Sequence, residues 1–317
     1  MKRLAFVAIG LFILGSMEAA YASDRLDVNA SHVRLAVNES GLAMVTYRAR
    51  GRTVHAIVWG AENALPPSQT VPQVRFKIDW TGGWAEFHHH LIWKHFRNAC
   101  RPYDGPALAW FVAACKAPDG SYWALQAWQP YLPHRGYPSW LASQRQWELH
   151  VSHWTGPLAQ LEVYRDWAFS GQAHDLFGRL TYQGVPVHGF GTAKNGAPSD
   201  RYGRSLYIDT FDSAYGGGWK RETSIVFRKP SGAFCYSFWP THDKTLPGYP
   251  NNLRPAGKGK RYRITVVGPG VTPDVSWVGD GLHDFNAGNP ADVAWESRMD
   301  AIFARLLGAD KFCSTQR

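Results

Sequence analysis

Short apolar or aromatic runs broken by turn residues recur along most of this chain, and that alternation restricts its fold more than any other feature. Leu42 to Tyr47 and Thr53 to Trp59 flank the basic turn Arg48-Ala49-Arg50-Gly51-Arg52. Ala107 to Ala114 and Tyr122 to Trp128 flank Ala117-Pro118-Asp119-Gly120, and Leu176 to Tyr182 and Val185 to Phe190 flank Gln183-Gly184. Glu222 to Arg228 and Ala233 to Trp239 flank Pro230-Ser231-Gly232. Runs of this length, rich in β-branched and aromatic residues and closed by Gly, Asp, Asn or Pro, are hairpin arms. Further runs at Val74–Trp80, Trp147–Trp154, Leu158–Phe169, Leu206–Phe211 and Arg261–Val267 bring the expected total to roughly a dozen strands. The pattern predicts a mainly β protein with an antiparallel, β-sandwich-like architecture. The 15 Trp, 14 Tyr and 16 Phe supply bulk for such a core, while 45% hydrophobic against 19% charged residues excludes a disordered chain.

Two segments read as helix. Asn289 is placed to cap, with Pro290 at the first helical position and Asp292 in the first turn. Trp295, Met299, Ile302 and Leu306 follow at helical spacing, with Phe303 and Leu307 beside them and Gly308 as the expected stop. Trp84 to Arg97 is the second candidate, since Phe87, Leu91 and His95 recur every four residues, although the alternation at His88–Ile92 also suits a strand. Pro130–Ser139 and Pro240–Lys260 read as long loops of the kind that carry function. No repeat of fixed period is present, and residues 23–317 are expected to form one mainly-β domain, with a subdivision near 130–140 as the alternative.

The first residues have the form of an export signal. Lys2 and Arg3 precede the uncharged apolar run Leu4–Gly15, and Ala20-Tyr21-Ala22 offers small residues at the positions a signal peptidase reads. Residues 1–22 are therefore expected to be removed after Ala22, giving a secreted or extracytoplasmic chain. Its formal charge is +8, against +9 for the whole sequence, because Lys2, Arg3 and Glu18 leave with the signal. No later apolar run approaches transmembrane length. Four cysteines remain in the mature part, and an even number in an exported chain points to disulfides. Of the three pairings, Cys100–Cys115 is favoured because Pro102-Tyr103-Asp104-Gly105-Pro106 turns the chain between them, which leaves Cys235–Cys313. No C-x-x-C spacing supports a metal site, and pairing removes any catalytic thiol.

Candidate chemistry is sparse. On a strand Glu162, Tyr164 and Asp166 share a face, yet Glu162 and Asp166 then stand about 13 Å apart, further than either glycosidase geometry needs. Asp209 would close the gap only if the strands were neighbours. The ordinary alternative is a polar face with Arg165 and Arg204 as ion partners. His88-His89-His90 and His95 lack the H-E-x-x-H spacing of a zinc helix, and Gly203-Arg204-Ser205 lacks the second glycine of a nucleophile elbow. No metal or other cofactor is expected. Among the aromatics, Trp128, Tyr131, Tyr137 and Trp140 lie in or beside the first long loop, where rings are harder to bury and suit sugar faces. Lys220-Arg221, Arg228-Lys229 and Lys258 through Arg263 form basic clusters that lie apart from these rings along the sequence and favour anionic partners. No nucleic-acid motif accompanies them.

Three stretches carry a resemblance: Trp154 through Glu162, Gly203 through Gly216, and Gly268-Pro269-Gly270-Val271-Thr272-Pro273-Asp274-Val275. In these the chain resembles a group of exported bacterial proteins, mainly actinobacterial, of similar length. The resemblance implies export and no activity. The expectation from the sequence is a monomeric exported binding protein for a glycan or an anionic cell-envelope polymer. The alternatives are a secreted polysaccharide-active hydrolase using paired carboxylates and a cell-surface structural or interaction protein.

Overall fold

A computed structural model describes residues 23–66, 73–82, 86–87, 90–135, 145–187, 191–192, 198–199, 205–226, 231–242, 253–308 and 313. The protein is mainly β, and the described residues form several antiparallel sheets and one α-helix near the C-terminus. The first sheet contains β1 (Asp24–Val28), β6 (Arg101–Pro102), β7 (Phe111–Lys116), β8 (Tyr122–Trp128) and β9 (Glu148–Trp154), in the order β1-β9-β8-β7-β6. The second is a meander of β2 (Ser31–Val37), β3 (Ala43–Ala49), β4 (Arg52–Trp59) and β5 (Lys77–Trp80). Ala49 pairs with Arg52 across a two-residue turn in which Arg50 and Gly51 have φ of 49° and 73°. Two left-handed residues in succession match the twist of the flanking strands, and this is why an X-Gly pair makes the hairpin here. Gln183-Gly184 repeats the device at 51° and 78°.

Inner faces of these two sheets enclose Val37, Val45, Tyr47, Val58, Trp123, Leu125, Leu149 and Val151. Cys100 is joined to Cys115, tying the segment before β6 to β7. The third sheet holds β10 (Gln160–Ala168), β11 (Ala173–Tyr182), β12 (Val185–Pro186) and β17 (Ala233–Ser237), with β11 paired to each of the others. The fourth runs β16-β15-β20-β21, from β15 (Ser205–Ser213), β16 (Gly216–Val226), β20 (Arg261–Val266) and β21 (Val275–Asp280). Two-residue ladders join β13 (Gly191–Thr192) to β14 (Pro198–Ser199), and β18 (Thr241–His242) to β19 (Leu253–Arg254). Leu176, Leu180, Leu206, Ile208, Phe234, Tyr262, Ile264 and Val266 fill the space between the third and fourth sheets.

Helix α1 (Pro290–Leu307) covers the other face of the third sheet through Met299, Phe303 and Leu307, which meet Phe177 and Cys235. The Asn289 side chain accepts from the Ala291 N–H at 3.1 Å, as a cap should. Gly308 differs from expectation: its φ of −57° is right-handed, so it does not end the helix by a left-handed turn. Cys235 is joined to Cys313 beside this helix. The other expected helix is absent from the described part of 84–97, which holds only a 3-10 turn at Ile92–Lys94. Gly216, Gly217 and Gly218 begin β16.

Candidate functional site

Strand alternation sends Tyr207, Asp209 and Phe211 of β15 away from the core that Leu206 and Ile208 enter. On β20 the same rule sends Arg261, Arg263 and Thr265 outward, since Tyr262, Ile264 and Val266 are the buried set. Register then decides the neighbours. Phe211 stands opposite Trp219 on one side and Arg261 on the other, and Asp209 stands opposite Arg221 and Arg263. The outer face of the fourth sheet is therefore a grid in which rings and guanidinium groups alternate. Arg261 lies 4.4 Å from the Phe211 ring centroid and 5.6 Å from that of Trp219. Arg263 lies 4.2 Å from Trp219 and 4.7 Å from Trp110, and Arg221 lies 4.5 Å from Tyr207.

Asp209 holds the buried end of this grid. Its Oδ1 accepts from Arg221 Nε at 2.6 Å, and its Oδ2 accepts from Arg263 Nε and Nη2 at 3.0 and 2.6 Å. Burial pushes Arg263 below its ordinary pKa, and the Asp209 carboxylate works against that shift. The face closes where Trp110, Trp128, Tyr207 and Val267 pack together against the first sheet. It opens towards Arg261, and Val278, opposite Arg263 on β21, is 51% exposed. Asp280 stands opposite Arg261 in register and Asp212 takes Lys260 at 3.3 Å, so the face keeps a small excess of positive charge.

Compared with protein-family models, with curated proteins and with solved structures, the chain matches none.

The described residues singled out in the sequence have definite places. Trp128 is not a loop ring open to a ligand: it is 2% exposed and its indole N–H donates to Asp274 at 2.8 Å. Tyr131 is 46% exposed, while Tyr137 and Trp140 lie outside the described residues. Glu162 accepts from Tyr164 Oη at 2.5 Å and from Arg179 Nε at 2.8 Å, which together outweigh burial and hold its carboxyl below the usual range. Asp166 lies on the third sheet and Asp209 on the fourth, so they do not share a strand pair. Asp166 instead faces Asp175 directly across β10 and β11, a partner the sequence reading did not contain. Opposed strand residues have Cβ atoms about 5 Å apart, which suits a retaining carboxylate pair, yet these are 0% and 2% exposed. Among the described residues no group of three or more His, Cys, Asp and Glu side chains is placed to hold a metal ion.

Both long loops reach the edge of the arginine face. Pro133 and Arg135 exchange backbone hydrogen bonds with Arg221, and Arg221 also donates to the Pro130 carbonyl. From the other loop, Thr241 Oγ1 accepts from Arg135 at 2.6 Å and Arg254 donates to the Arg135 carbonyl. Behind them Glu222 is buried, which raises its pKa, and it accepts from Tyr236 Oη at 2.6 Å. A concavity of about 740 Å³ lies between Asn38–Ser40 and the segment 90–99, with His90, His95 and Arg97 on its wall. It lacks the stacked rings of the fourth sheet.

Two of the basic clusters are thus interleaved with rings, Tyr207, Phe211, Trp219 and Trp110, while Arg228-Lys229 lies outside the described residues. Lys220-Arg221 and Lys258 through Arg263 are remote in sequence, and β15 brings their arginines to one face. The signal that could have found this is parity: Trp219 and Arg221, like Arg261 and Arg263, stand two residues apart on strands.

Proposed function

We propose that the protein is exported, is cleaved after Ala22, and binds an anionic cell-envelope polymer or acidic carbohydrate on the outer face of its fourth sheet. The observation that carries this reading is the placement of Arg261 over Phe211 and Trp219. A guanidinium stacked on a ring keeps its N–H edge free for the paired oxygens of phosphate or carboxylate, and the ring faces suit the apolar faces of sugars. Export is supported by the two disulfides, which persist outside a reducing cytoplasm, and no helix of the described residues is long and apolar enough to cross a membrane.

A paired-carboxylate hydrolase finds less support, because Asp166 and Asp175 are buried and Asp209 is held by two arginines. Binding is tested with oxidised mature protein against polygalacturonate, teichoic acid, DNA and a neutral glucan at two salt concentrations. Arg261→Ala and Trp219→Ala are each expected to weaken polyanion binding roughly tenfold, about 1.4 kcal/mol, with weaker binding at high salt. Arg34→Ala, on the exposed side of β2, should leave it unchanged. Failure to bind any of the anionic polymers sinks the proposal.

A further inference from the structure

Ser23 occupies an unusual place for a residue next to a cleavage point. It is 0% exposed, and its backbone N–H donates to the Gly270 carbonyl at 2.9 Å. Its hydroxyl donates to Asp274 Oδ1 at 2.7 Å and lies 3.1 Å from His150 Nδ1. The receiving segment is itself built for close approach. Gly270 has a φ of 57°, and a Cβ on it would lie 2.8 Å from the Ala64 Cα. Gly268 N–H donates to the same Asp274 carboxylate at 3.0 Å, and Val271 enters the core of the first sandwich. The start of the described chain is thus seated between strands of the first sheet and the connection from β20 to β21.

We infer that cleavage creates a structural ligand: the new α-ammonium of Ser23 docks on the Gly270 carbonyl beside the Asp274 carboxylate and locks the two sandwiches together. The inference rests on the proposed cleavage after Ala22. Hydrolysis adds water across the Ala22–Ser23 bond. Its oxygen joins the Ala22 carbonyl carbon, which leaves as a carboxylate, and the Ser23 nitrogen gains hydrogen and then a proton. The group so formed has three N–H bonds where the amide had one, and it is positive. Such a charge is costly to bury unless it is paired and hydrogen-bonded. Here Gly270 already accepts from this nitrogen, and Asp274 already binds the same residue's hydroxyl. Glu148 and Asp24 add negative charge nearby, against His150 and Arg25. A peptide continuing backwards from Ser23 brings neither the charge nor the extra donors.

The test uses chain 23–317 released with a free Ser23 amine, and the same chain retaining residues 19–22. Periodate is the probe, because it cleaves the Cα–Cβ bond of an N-terminal serine and of no internal one. Native protein should react at least about tenfold more slowly than protein unfolded in guanidinium chloride, since reaction then requires local opening. The chain that keeps residues 19–22 should melt about 5 °C lower. Equal periodate rates in native and unfolded protein, or equal Tm for the two chains, overturn the docking. Intact mass of the exported protein separates the underlying reading: a start at Ser23 supports it, and any other start removes cleavage as the source of this terminus whatever the released chain does.

Discussion

Asp274→Ala is expected to destabilise the oxidised protein by about 3–5 kcal/mol, the usual cost of removing one partner from a buried charge network. The Asp274 carboxylate is buried and accepts from Ser23 Oγ, Trp128 Nε1, His150 Nδ1 and Gly268 N, at 2.7 to 3.0 Å. Its backbone N–H donates to Gln126 Oε1 at 2.8 Å, and its carbonyl accepts from Gln126 Nε2 at 2.9 Å. Truncation would strand an imidazolium. His150 faces Asp274 through Nδ1 and Glu148 through Nε2, at 2.8 and 3.2 Å, and two carboxylates can only accept, so both ring nitrogens carry hydrogen. Burial alone would lower the His150 pKa, but Asp274 first and Glu148 second outweigh it and raise the group to about 9.

A pKa raised on folding contributes stability below the unfolded value and loses it as pH climbs through the folded one. The His150 contribution should therefore be complete below about pH 6.5 and fall by about 3 kcal/mol as pH rises past 9. Denaturant unfolding at pH 6, 7.5 and 9.5 measures it, and His150→Gln should flatten the profile. A loss under 1 kcal/mol for Asp274→Ala, or a wild-type profile without a fall in this interval, contradicts the network.

Local chemistry explains which parts of this molecule could be read from its sequence. The Arg50-Gly51 turn was legible because left-handed residues in a two-residue hairpin leave few choices, and the Asn289-Pro290 start of α1 because a cap and a fixed φ coincide. The mainly β architecture followed from the same short-range signals. The segment 84–97 misled because the four-residue recurrence of Phe87, Leu91 and His95 comes without a cap, and recurrence alone does not decide a helix; in its described part Phe87 packs on Trp59 and Trp93 on His55. Trp128 misled differently. It ends a strand whose outward face is covered by residues from the far end of the chain, and no local pattern announces that cover. The arginine face was hidden for a similar reason, since it exists only through the pairing of β15 with both β16 and β20. Asp274 is the extreme case: an acid after a proline in a glycine-rich turn reads as loop chemistry, yet it joins residues 23, 128 and 150.

Removal of the Cys235–Cys313 bridge, by Cys235→Ser with Cys313→Ser, should cost about 4–5 kcal/mol on the chain-entropy account. The bridge closes a segment of 78 residues, whereas Cys100–Cys115 closes 15, for which about 3 kcal/mol is expected. The two losses should differ by about 1.5 kcal/mol, since closure entropy grows with the logarithm of loop length. Location sharpens the contrast. Cys235 sits on β17 opposite Phe177, and the Phe177 ring meets Phe303 of α1 edge-on at 5.1 Å between centroids. Without the bridge, α1 is held by Met299, Phe303 and Leu307 and their neighbours, and its amides should exchange before those of β11. The core between the third and fourth sheets, where Leu206, Ile208 and Ile264 are buried, should keep its protection, and with it the arginine face outside. Hydrogen exchange on both double variants measures this directly. Equal losses for the two bridges, or loss of protection in the fourth sheet together with α1, would show that the helix and the sheets unfold as one unit.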